Sequence, residues 1–410
     1  MNASITRLEG FHVRHHQGVV EFPLHYMRGG TSTGVVIAEW LLPQDQALRD
    51  ELLRHLMGVP LTGRQPGNKQ TTGLGRGPAT SNKVFLARIE NHAGQQQIVS
   101  TLAQLASDHA DIDWSVNCGN MSSALPLWAI DCGLIEAPDT GACDIEIRNT
   151  NTGVLTLARM SRDAAGHYLC AEIPGVQGAF PSVDLFLHSP VGNKTGALLP
   201  TGALVDVFGR HQVSCLDVAV PMVIADAASF GKTGHEAVAE LEADAVFMAA
   251  LKQVWVAAGL KMGLRRRDGE LMSRAEIERS ETVPKVCIVG APRDGGNIAV
   301  RYFTPQTGHA SMAVSGGCCL AAACLIPGTT AHAVAQGVKQ PGEVYADVEV
   351  SIENPVGRLD TTVVARRVDQ QLQIQSAAYR RSAQILMRGH VPLYRASPEL
   401  INSLCADDHG

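Results

Sequence analysis

Two short segments that each precede an apolar helical stretch lie about half a chain length apart, and this repeat bears directly on the fold. Residues 116–120 (Val-Asn-Cys-Gly-Asn) open the first stretch, and residues 313–317 (Ala-Val-Ser-Gly-Gly) open the second. In each segment a thiol or hydroxyl residue stands before a glycine, and Ser315 lies 197 positions after Cys118 in a chain of 410 residues. A repeat of this length indicates two topologically similar halves that face each other.

Apolar periodicity outlines the helices around this repeat. Residues 121–130 and 318–325 predict two apolar helices, and residues 43–57 and 235–260 carry apolar residues at helical spacing. Short β-rich runs fill most of the remaining chain, so the predicted fold class is α/β.

The predicted domain boundary lies in a polar break. Residues 189–195 are rich in Pro, Gly, Asn and Lys, a composition that is typical of linkers between domains. We therefore expect an N-terminal domain at 1–190, a C-terminal domain at 191–395 and a tail at 396–410.

Charge and apolar content exclude several classes of protein. The 34 basic and 40 acidic residues give a net charge of -6, which argues against a nucleic-acid partner. No apolar run reaches the roughly 18 residues that a membrane span needs, and the polar residues 1–10 lack the apolar core of a signal peptide. The ten cysteines form no CxxC motif, so we expect reduced thiols in a cytoplasmic protein.

Cofactor motifs are missing from the sequence. It contains no P-loop, no HExxH or CxxC metal pattern, and no signature of a flavin, haem or pyridoxal site. We expect an enzyme without cofactor or metal, in which side chains alone perform the chemistry.

Cys118 is the first candidate for chemistry. It stands between Asn117 and Gly119, directly before a predicted helix, where unpaired N–H groups stabilise a thiolate. Asn117 and Asn120 can orient a ligand beside it. A structural thiol is the alternative, because free cysteine is among the most buried residue types.

Two basic residues flank glycine-rich turns. Lys83 ends a long polar loop at residues 63–82 and begins an apolar strand, where it could neutralise a carboxylate or act as a general acid or base. Arg28 precedes Gly29 and Gly30, where its fork could bind a carboxylate in a bidentate manner. The alternatives are an exposed lysine at a strand start and an exposed arginine in a hairpin turn.

The second half offers another anion cradle at a helix start, formed by His309 and the Ser315-Gly316 pair. Tight helix packing through small residues explains its glycines equally well. Residues 313–317 also approach the GxSxG pattern of serine hydrolases, with alanine in place of the first glycine.

The chain resembles the PrpF family in an ordered series of segments from about residue 26 to residue 391. The most specific segments are Arg-Gly-Gly-Thr-Ser at 28–32 and Asn-Cys-Gly-Asn at 117–120; the others are 79–83, 199–202, 283–285, 291–293, 323–328 and 381–387. That family is similar in fold to diaminopimelate epimerase. The resemblance implies two similar domains, each a barrel-like mixed β-sheet around a central helix, with the active site in the interdomain cleft.

The resemblance also implies a function. Members of the family are cofactor-independent isomerases of unsaturated di- or tricarboxylates such as 2-methylaconitate, aconitate or 4-oxalomesaconate. They move a double bond by an allylic 1,3-proton shift or interconvert cis and trans forms. A lysine and a cysteine are their proposed acid/base pair, which here are Lys83 and Cys118. Around this pair we expect substrate contacts from Arg28, Thr31, Ser32, Thr80, Ser81, Asn117, Gly119, Asn120, His309, Ser315 and Gly316.

Two departures from the family pattern bear on the substrate and on the alternatives. Thr33 stands where the family turn usually has a lysine, which removes a positive charge. The epimerase uses one cysteine per domain, whereas the second-domain position here resembles Ser315, with Cys318 and Cys319 one turn deeper. A cysteine-dependent racemase or epimerase stays open, as does a non-catalytic accessory protein for a dehydratase or aconitase-type enzyme. A homodimer is left open.

Overall fold

The computed structural model describes residues 11–77, 81–92, 94–115, 117–266, 268–369 and 371–406. The chain folds into two units. The first unit comprises Met1–Glu172, Val176–Val183 and Arg381–Gly410, and the second comprises Ile173–Gly175 and Asp184–Arg380.

Strands dominate both units. The strands are β1 (Arg14–His16), β2 (Val19–Gly29), β3 (Ser32–Ala38), β4 (Lys83–His92), β5 (Gln95–Leu105), β6 (Ile112–Asp113), β7 (Gly141–Asn149), β8 (Leu155–Arg162), β9 (Cys170–Ala171), β10 (Phe180–His188), β11 (Asp206–Phe208), β12 (His211–Val218), β13 (Val220–Asp226), β14 (Lys285–Gly290), β15 (Ile298–Thr304), β16 (Thr307–Gly308), β17 (Ala346–Asn354), β18 (Gly357–Val368) and β19 (Gln371–Pro392). The helices are α1 (Gln46–Met57), α2 (Gly119–Ser122), α3 (Ala124–Asp131), α4 (Val238–Ala243), α5 (Ala245–Lys261), α6 (Arg274–Arg279), α7 (Val314–Cys324), α8 (Thr330–Val334) and α9 (Pro398–Ala406).

The first unit is a mixed sheet with helices on both faces. β2 and β3 form an antiparallel hairpin, β3 runs parallel to β4, and β4 turns back antiparallel into β5. β5 then runs parallel to β7, which pairs antiparallel with β8. Alternate strand residues such as Leu24, Val35 and Ile37 pack with α1 and α9. The apolar residues 124–129 of α3 are buried on every side, as expected for a central helix.

The second unit repeats this strand order. β12 pairs antiparallel with β13, β13 runs parallel to β14, and β14 pairs antiparallel with β15. β15 runs parallel to β17, and β17 and β18 are antiparallel. Here α7 is the central helix: its residues from 316 to 324 are all buried within the core that these strands supply.

The repeat predicted from sequence is therefore present in the topology. α2 and α3 lie in the connection between the parallel strands β5 and β7, and α7 lies in the matching connection between β15 and β17. The predicted fold class, a mixed α/β protein with two units of similar topology, is confirmed. Within the part of the chain that is described, no helix is long and apolar enough to cross a membrane.

Several predicted boundaries are displaced. The helix predicted at 235–260 is divided into α4 and α5, because the side chain of Asp244 accepts the N–H of Phe247 and caps a new helix. The central helices begin earlier than predicted, at Gly119 and Val314.

The chain beyond residue 380 returns to the first unit, whereas the sequence placed 381–395 in the second domain and 396–410 in a tail. Residues 383–392 pair with β2, and α9 buries Leu400 and Leu404 in the core of the first unit. The linker composition at 189–195 could not reveal this return, which depends on pairing between distant strands.

Candidate active site

The turn between β2 and β3 is the centre of the site in the first unit. A Cβ on Gly29 would lie 2.6 Å from the carbonyl oxygen of Asn120, and a Cβ on Gly30 would lie 2.6 Å from Asn120 Oδ1. Gly30 also has a φ of 54°, which favours glycine. These two glycines therefore let the start of α2 lie directly against the turn, where Asn120 Nδ2 donates to Thr31 Oγ1 at 3.2 Å.

Lys83 reaches the same turn from β4. It is the first residue of that strand and is 7% exposed, and its Nζ donates to Ser32 Oγ at 3.1 Å. Gly34 makes room for it, since a Cβ there would lie 2.7 Å from the Lys83 carbonyl oxygen. Among the residues that the structure describes, no carboxylate forms an ion pair with Lys83. Because Lys83 is buried, the alternative of an exposed lysine is wrong.

Cys118 is the N-cap residue of α2, and its free thiol belongs to a partly exposed residue. Its backbone N–H donates to Asn117 Oδ1 at 2.7 Å, and its carbonyl oxygen accepts from Ser122 Oγ at 3.0 Å. Lys83 and Asn120 bond to adjacent residues of the turn, and Cys118 precedes Asn120 by two positions. Lys83 thus contacts the turn directly, whereas Cys118 lies at the start of the helix whose Asn120 contacts it.

Arg28 is a second buried cation beside this turn. It is 8% exposed, and its Nη1 donates to the carbonyl oxygens of Gly30 and Ser382 at 2.8 and 3.1 Å. The guanidinium also lies 4.6 Å from the centre of the Phe180 ring, and burial lowers the pKa of Arg28. Nη2 is buried and has no partner among the described residues.

The loop before Lys83 is held by side-chain amides. Asn82 Oδ1 accepts the N–H of Arg76 at 2.7 Å, and Gln70 Oε1 accepts the N–H of Gly77 at 2.6 Å. Ser81 is described and precedes Asn82, whereas Thr80 lies outside the described residues. Binding roles for both stay predictions.

The predicted binding residues of the second unit are His309, Ser315 and Gly316. The backbone N–H of His309 donates to the Tyr302 carbonyl oxygen at 2.8 Å, while its Nδ1 accepts the N–H of Ser311 at 2.9 Å. Burial lowers the pKa of His309, which favours the neutral ring. Ser315 is partly exposed and lies within the first turn of α7, and not before the helix as expected.

Gly316 is required by packing. A Cβ there would lie 2.5 Å from the ring of Tyr302, so any side chain would meet a fully buried aromatic residue. Its predicted role in binding stays a prediction.

Sequence reasoning missed residues that support the site. Ser382 accepts from Arg28 through its carbonyl oxygen and, at 3.2 Å, through Oγ, and Gln384 Oε1 accepts from Arg28 Nε at 3.4 Å. Both lie in the segment 381–387, which the family resemblance includes, yet nothing local indicates what they contact. Lys285 was also missed: it begins β14 as Lys83 begins β4, and burial lowers its pKa.

Among the residues that the structure describes, no group of three or more His, Cys, Asp or Glu side chains is arranged to hold a metal ion. The groups at the β2–β3 turn are a lysine, an arginine and several hydroxyl and amide groups, and the thiol of Cys118 lies at the start of α2, which packs against the turn.

Residues 19–394 match the family described as PrpF protein. This chain belongs to the PrpF family. It is 33% identical over 90% of its length to the (4E)-oxalomesaconate Delta-isomerase of a Novosphingobium species, of which it covers 96%. It is 32% identical to the 4-oxalomesaconate tautomerase of Pseudomonas putida, with 83% of this chain and 91% of the relative covered.

A solved structure supports the fold. The crystal structure of methylitaconate-delta-isomerase superposes with a TM-score of 0.75 at 26% identity, covering 94% of this chain and 97% of the other. Relatives with an established name are isomerases or tautomerases. The predicted enzyme class of this PrpF protein, an isomerase, is thereby confirmed.

Proposed function

We propose that this protein moves a double bond within an unsaturated di- or tricarboxylate, with Lys83 and Cys118 as its acid/base pair. The observation that carries the proposal is the burial of two cations at one turn, where the described residues supply no carboxylate partner for either. Lys83 bonds to a hydroxyl, and Arg28 bonds to carbonyl, hydroxyl and amide oxygens.

Such an arrangement is costly in the free protein. A buried charge normally requires an opposite charge, because neutral hydrogen bonds only partly replace its hydration. The chain as a whole is acidic, with a net charge of -6, so carboxylates are abundant elsewhere, yet no described carboxylate pairs with these two cations. A substrate that carries several carboxylates would supply the missing charges.

The reaction is a proton transfer between two carbons of an allylic unit. One of the two groups, acting as base, removes a proton from the carbon next to the double bond. The electron pair of that C–H bond forms the new double bond, and the π electrons of the old double bond move to its far carbon. The other group gives a proton to that carbon, so no electrons are gained or lost. The cations stabilise the dienolate-like charge that builds up in between.

Polar groups of the turn and of α2 would orient the substrate. Thr31 and Ser32 present hydroxyls that already accept from Asn120 and Lys83. Asn120 Oδ1 is buried and accepts no hydrogen bond in the described part of the molecule. A protonated or hydroxylated substrate group placed there would complete its hydrogen bonding.

The relatives indicate which substrate to test first. Two relatives at 32–33% identity are named for oxalomesaconate, whereas those named for methylaconitate and methylitaconate are 27–28% identical. Thr33, at the position of the usual family lysine, accepts from the Tyr26 hydroxyl at 3.3 Å. On the basis of the identities to these relatives, we place 4-oxalomesaconate first, with 2-methylaconitate and aconitate next.

The two-cysteine racemase has less support. Such an enzyme needs a second reactive thiol, yet Cys318 and Cys319 are fully buried. Burial raises the pKa of Cys319 far above its ordinary value, which keeps the thiol protonated and unreactive.

Turnover by four variants tests the assignment. We expect Cys118→Ser and Lys83→Met each to reduce kcat on 4-oxalomesaconate at least about 100-fold, because a general acid or base contributes about 10² or more. The matched controls Cys170→Ser and Lys69→Met change exposed residues of the same unit and should retain the wild-type rate. Thermal unfolding would establish that all four proteins fold. Full activity of folded Cys118→Ser or Lys83→Met protein would refute the assigned role of that residue.

A further inference from the structure

A cavity of about 410 Å³ lies in the first unit, and none of the candidate active-site residues lines it. Its wall is formed by the end of α1, the loop that follows this helix, the end of β19 and the residues just after that strand. Its lining residues are Arg54, His55, Gly58, Val59, Leu61, Thr71, Thr72, Val391, Pro392, Leu393, Tyr394 and Arg395. None of these residues is used in the proposed reaction.

The charge of this lining is positive. Its described residues include two arginines and a histidine but no Asp or Glu, although acidic residues outnumber basic ones in the chain. Arg54 and His55 lie in the last turn of α1, where the helix dipole favours cations in any protein. Arg395 comes from another segment and has no such explanation.

Arg395 is not neutralised within the described part of the chain, where no carboxylate forms an ion pair with it. Arg54, in contrast, lies 3.6 Å from Asp50 and donates to the Ala110 carbonyl oxygen at 2.8 Å. Burial lowers the pKa of His55, and the charge of Arg395 lowers it further, against the opposing effect of Glu51. Arg395 is therefore the cation that is available to an incoming anion.

Apolar groups form the rest of the wall. Val59 and Leu393 are buried in the core of the first unit, and Leu61 and Val391 are partly exposed. Tyr394 is 80% exposed, so its ring is free to cover a bound molecule. This combination suits a ligand that has both an anionic group and an apolar body.

We propose that this cavity binds a small organic anion with an apolar body, at a site separate from Lys83 and Cys118. The anionic group would pair with Arg395, with the hydroxyls of Thr71 and Thr72 as further donors, and the apolar body would lie against Leu393 and Tyr394. The volume lies within the range of small-molecule sites. The positive charge of Arg395, the apolar wall and the volume of the cavity thus indicate one class of ligand, a small organic anion with an apolar body.

Calorimetric titration with phenyl phosphate tests the proposal on the full-length protein. We expect saturable binding with a Kd below about 1 mM. Arg395→Gln should weaken it about tenfold, which is typical for the loss of one charge-assisted hydrogen bond. Tyr394→Ser should also weaken it. Arg64→Gln, which removes an exposed arginine of the same unit outside the lining, should bind as the wild type does.

A second comparison separates this cavity from the candidate active site. Lys83→Met should leave the binding of phenyl phosphate unchanged. The proposal is overturned if the wild-type protein shows no saturable binding. It is equally overturned if Lys83→Met abolishes binding while Arg395→Gln leaves the Kd at its wild-type value.

Discussion

Single residues at and near the β2–β3 turn show what a sequence motif can and cannot predict. Lys83 and Cys118 could be predicted because the resemblance fixes their positions along the chain. Their surroundings could not be predicted. Arg28 bonds to Ser382, 354 residues later in the chain, and no local pattern indicates such a partner. The burial of Arg28 and Lys83, which supports a polyanionic substrate, is a result of tertiary packing.

A partly buried carboxylate of the first unit makes stability depend on pH. Burial alone would raise the pKa of Asp131, but hydrogen bonds from His25 and Arg388 lower it from 3.8 to about 2. Arg388 Nε lies 2.6 Å from Asp131 Oδ2, and Nη2 contacts the other oxygen. A depressed pKa stabilises the folded state above the unfolded value, and this contribution is lost as the pH falls from about 4 to 2.

We therefore expect Asp131→Asn to lower the free energy of unfolding by about 2 kcal/mol at pH 7. The difference from the wild type should shrink as the pH falls through this interval, because the wild-type carboxylate becomes protonated. Urea unfolding of both proteins at pH 7, 4 and 3 measures this difference in the free energy of unfolding. Asp139→Asn, at an exposed position of the same unit, is the control. A difference that stays constant between pH 7 and 3 would contradict this account.

At the scale of elements, the first turns of α2 and α7 contain glycines of different purpose. The sequence pattern predicts both helices but places their starts too late, and it treats Gly119 and Gly316 alike. In the structure, a Cβ on Gly119 would meet nothing within 4 Å, whereas a Cβ on Gly316 would lie 2.5 Å from the Tyr302 ring. One glycine leaves open space in front of α2, and the other permits close packing of α7.

Alanine substitutions distinguish these two purposes. Gly316→Ala should lower the free energy of unfolding by about 1–3 kcal/mol, the usual cost of an overpacked core. Gly119→Ala should leave stability unchanged or slightly higher, since alanine is the better helix former. If the substrate occupies the open space at residue 119, as predicted, the KM of Gly119→Ala should be higher than that of the wild type. Urea unfolding and steady-state kinetics measure both effects, and equal stability of the two variants would refute the distinction.

At the scale of the whole molecule, the chain returns to its first unit after passing through the second. The repeat predicts two similar units, but the sequence suggests a simple division near residue 190. Composition marks polar breaks and carries no information on which distant strands pair. Residues 383–392 beside β2, and α9 against α1, complete the first unit. The glutamate side chain of Glu51 in α1 accepts from the backbone N–H and the hydroxyl of Ser397, just before α9.

This return predicts that the C-terminal helix is essential for stability. Leu400 is fully buried, so Leu400→Ala should lower the free energy of unfolding by about 2–5 kcal/mol. Glu399→Ala, one position away on the exposed side of α9, should change it by less than about 0.5 kcal/mol. Thermal or urea unfolding compares the two proteins. If the C-terminal helix were dispensable, both substitutions would change the free energy of unfolding by the same small amount.

The central claim is that this PrpF protein shifts a double bond by moving a proton between two carbons. Proton NMR of 4-oxalomesaconate, 2-methylaconitate and aconitate with the enzyme in deuterated buffer tests it most directly. We expect one of these substrates to give a product with a displaced double bond and solvent deuterium at the carbon that was protonated. No turnover of any of them by the folded protein, or deuterium exchange at a stereocentre of an amino acid with no displaced double bond, would contradict the claim.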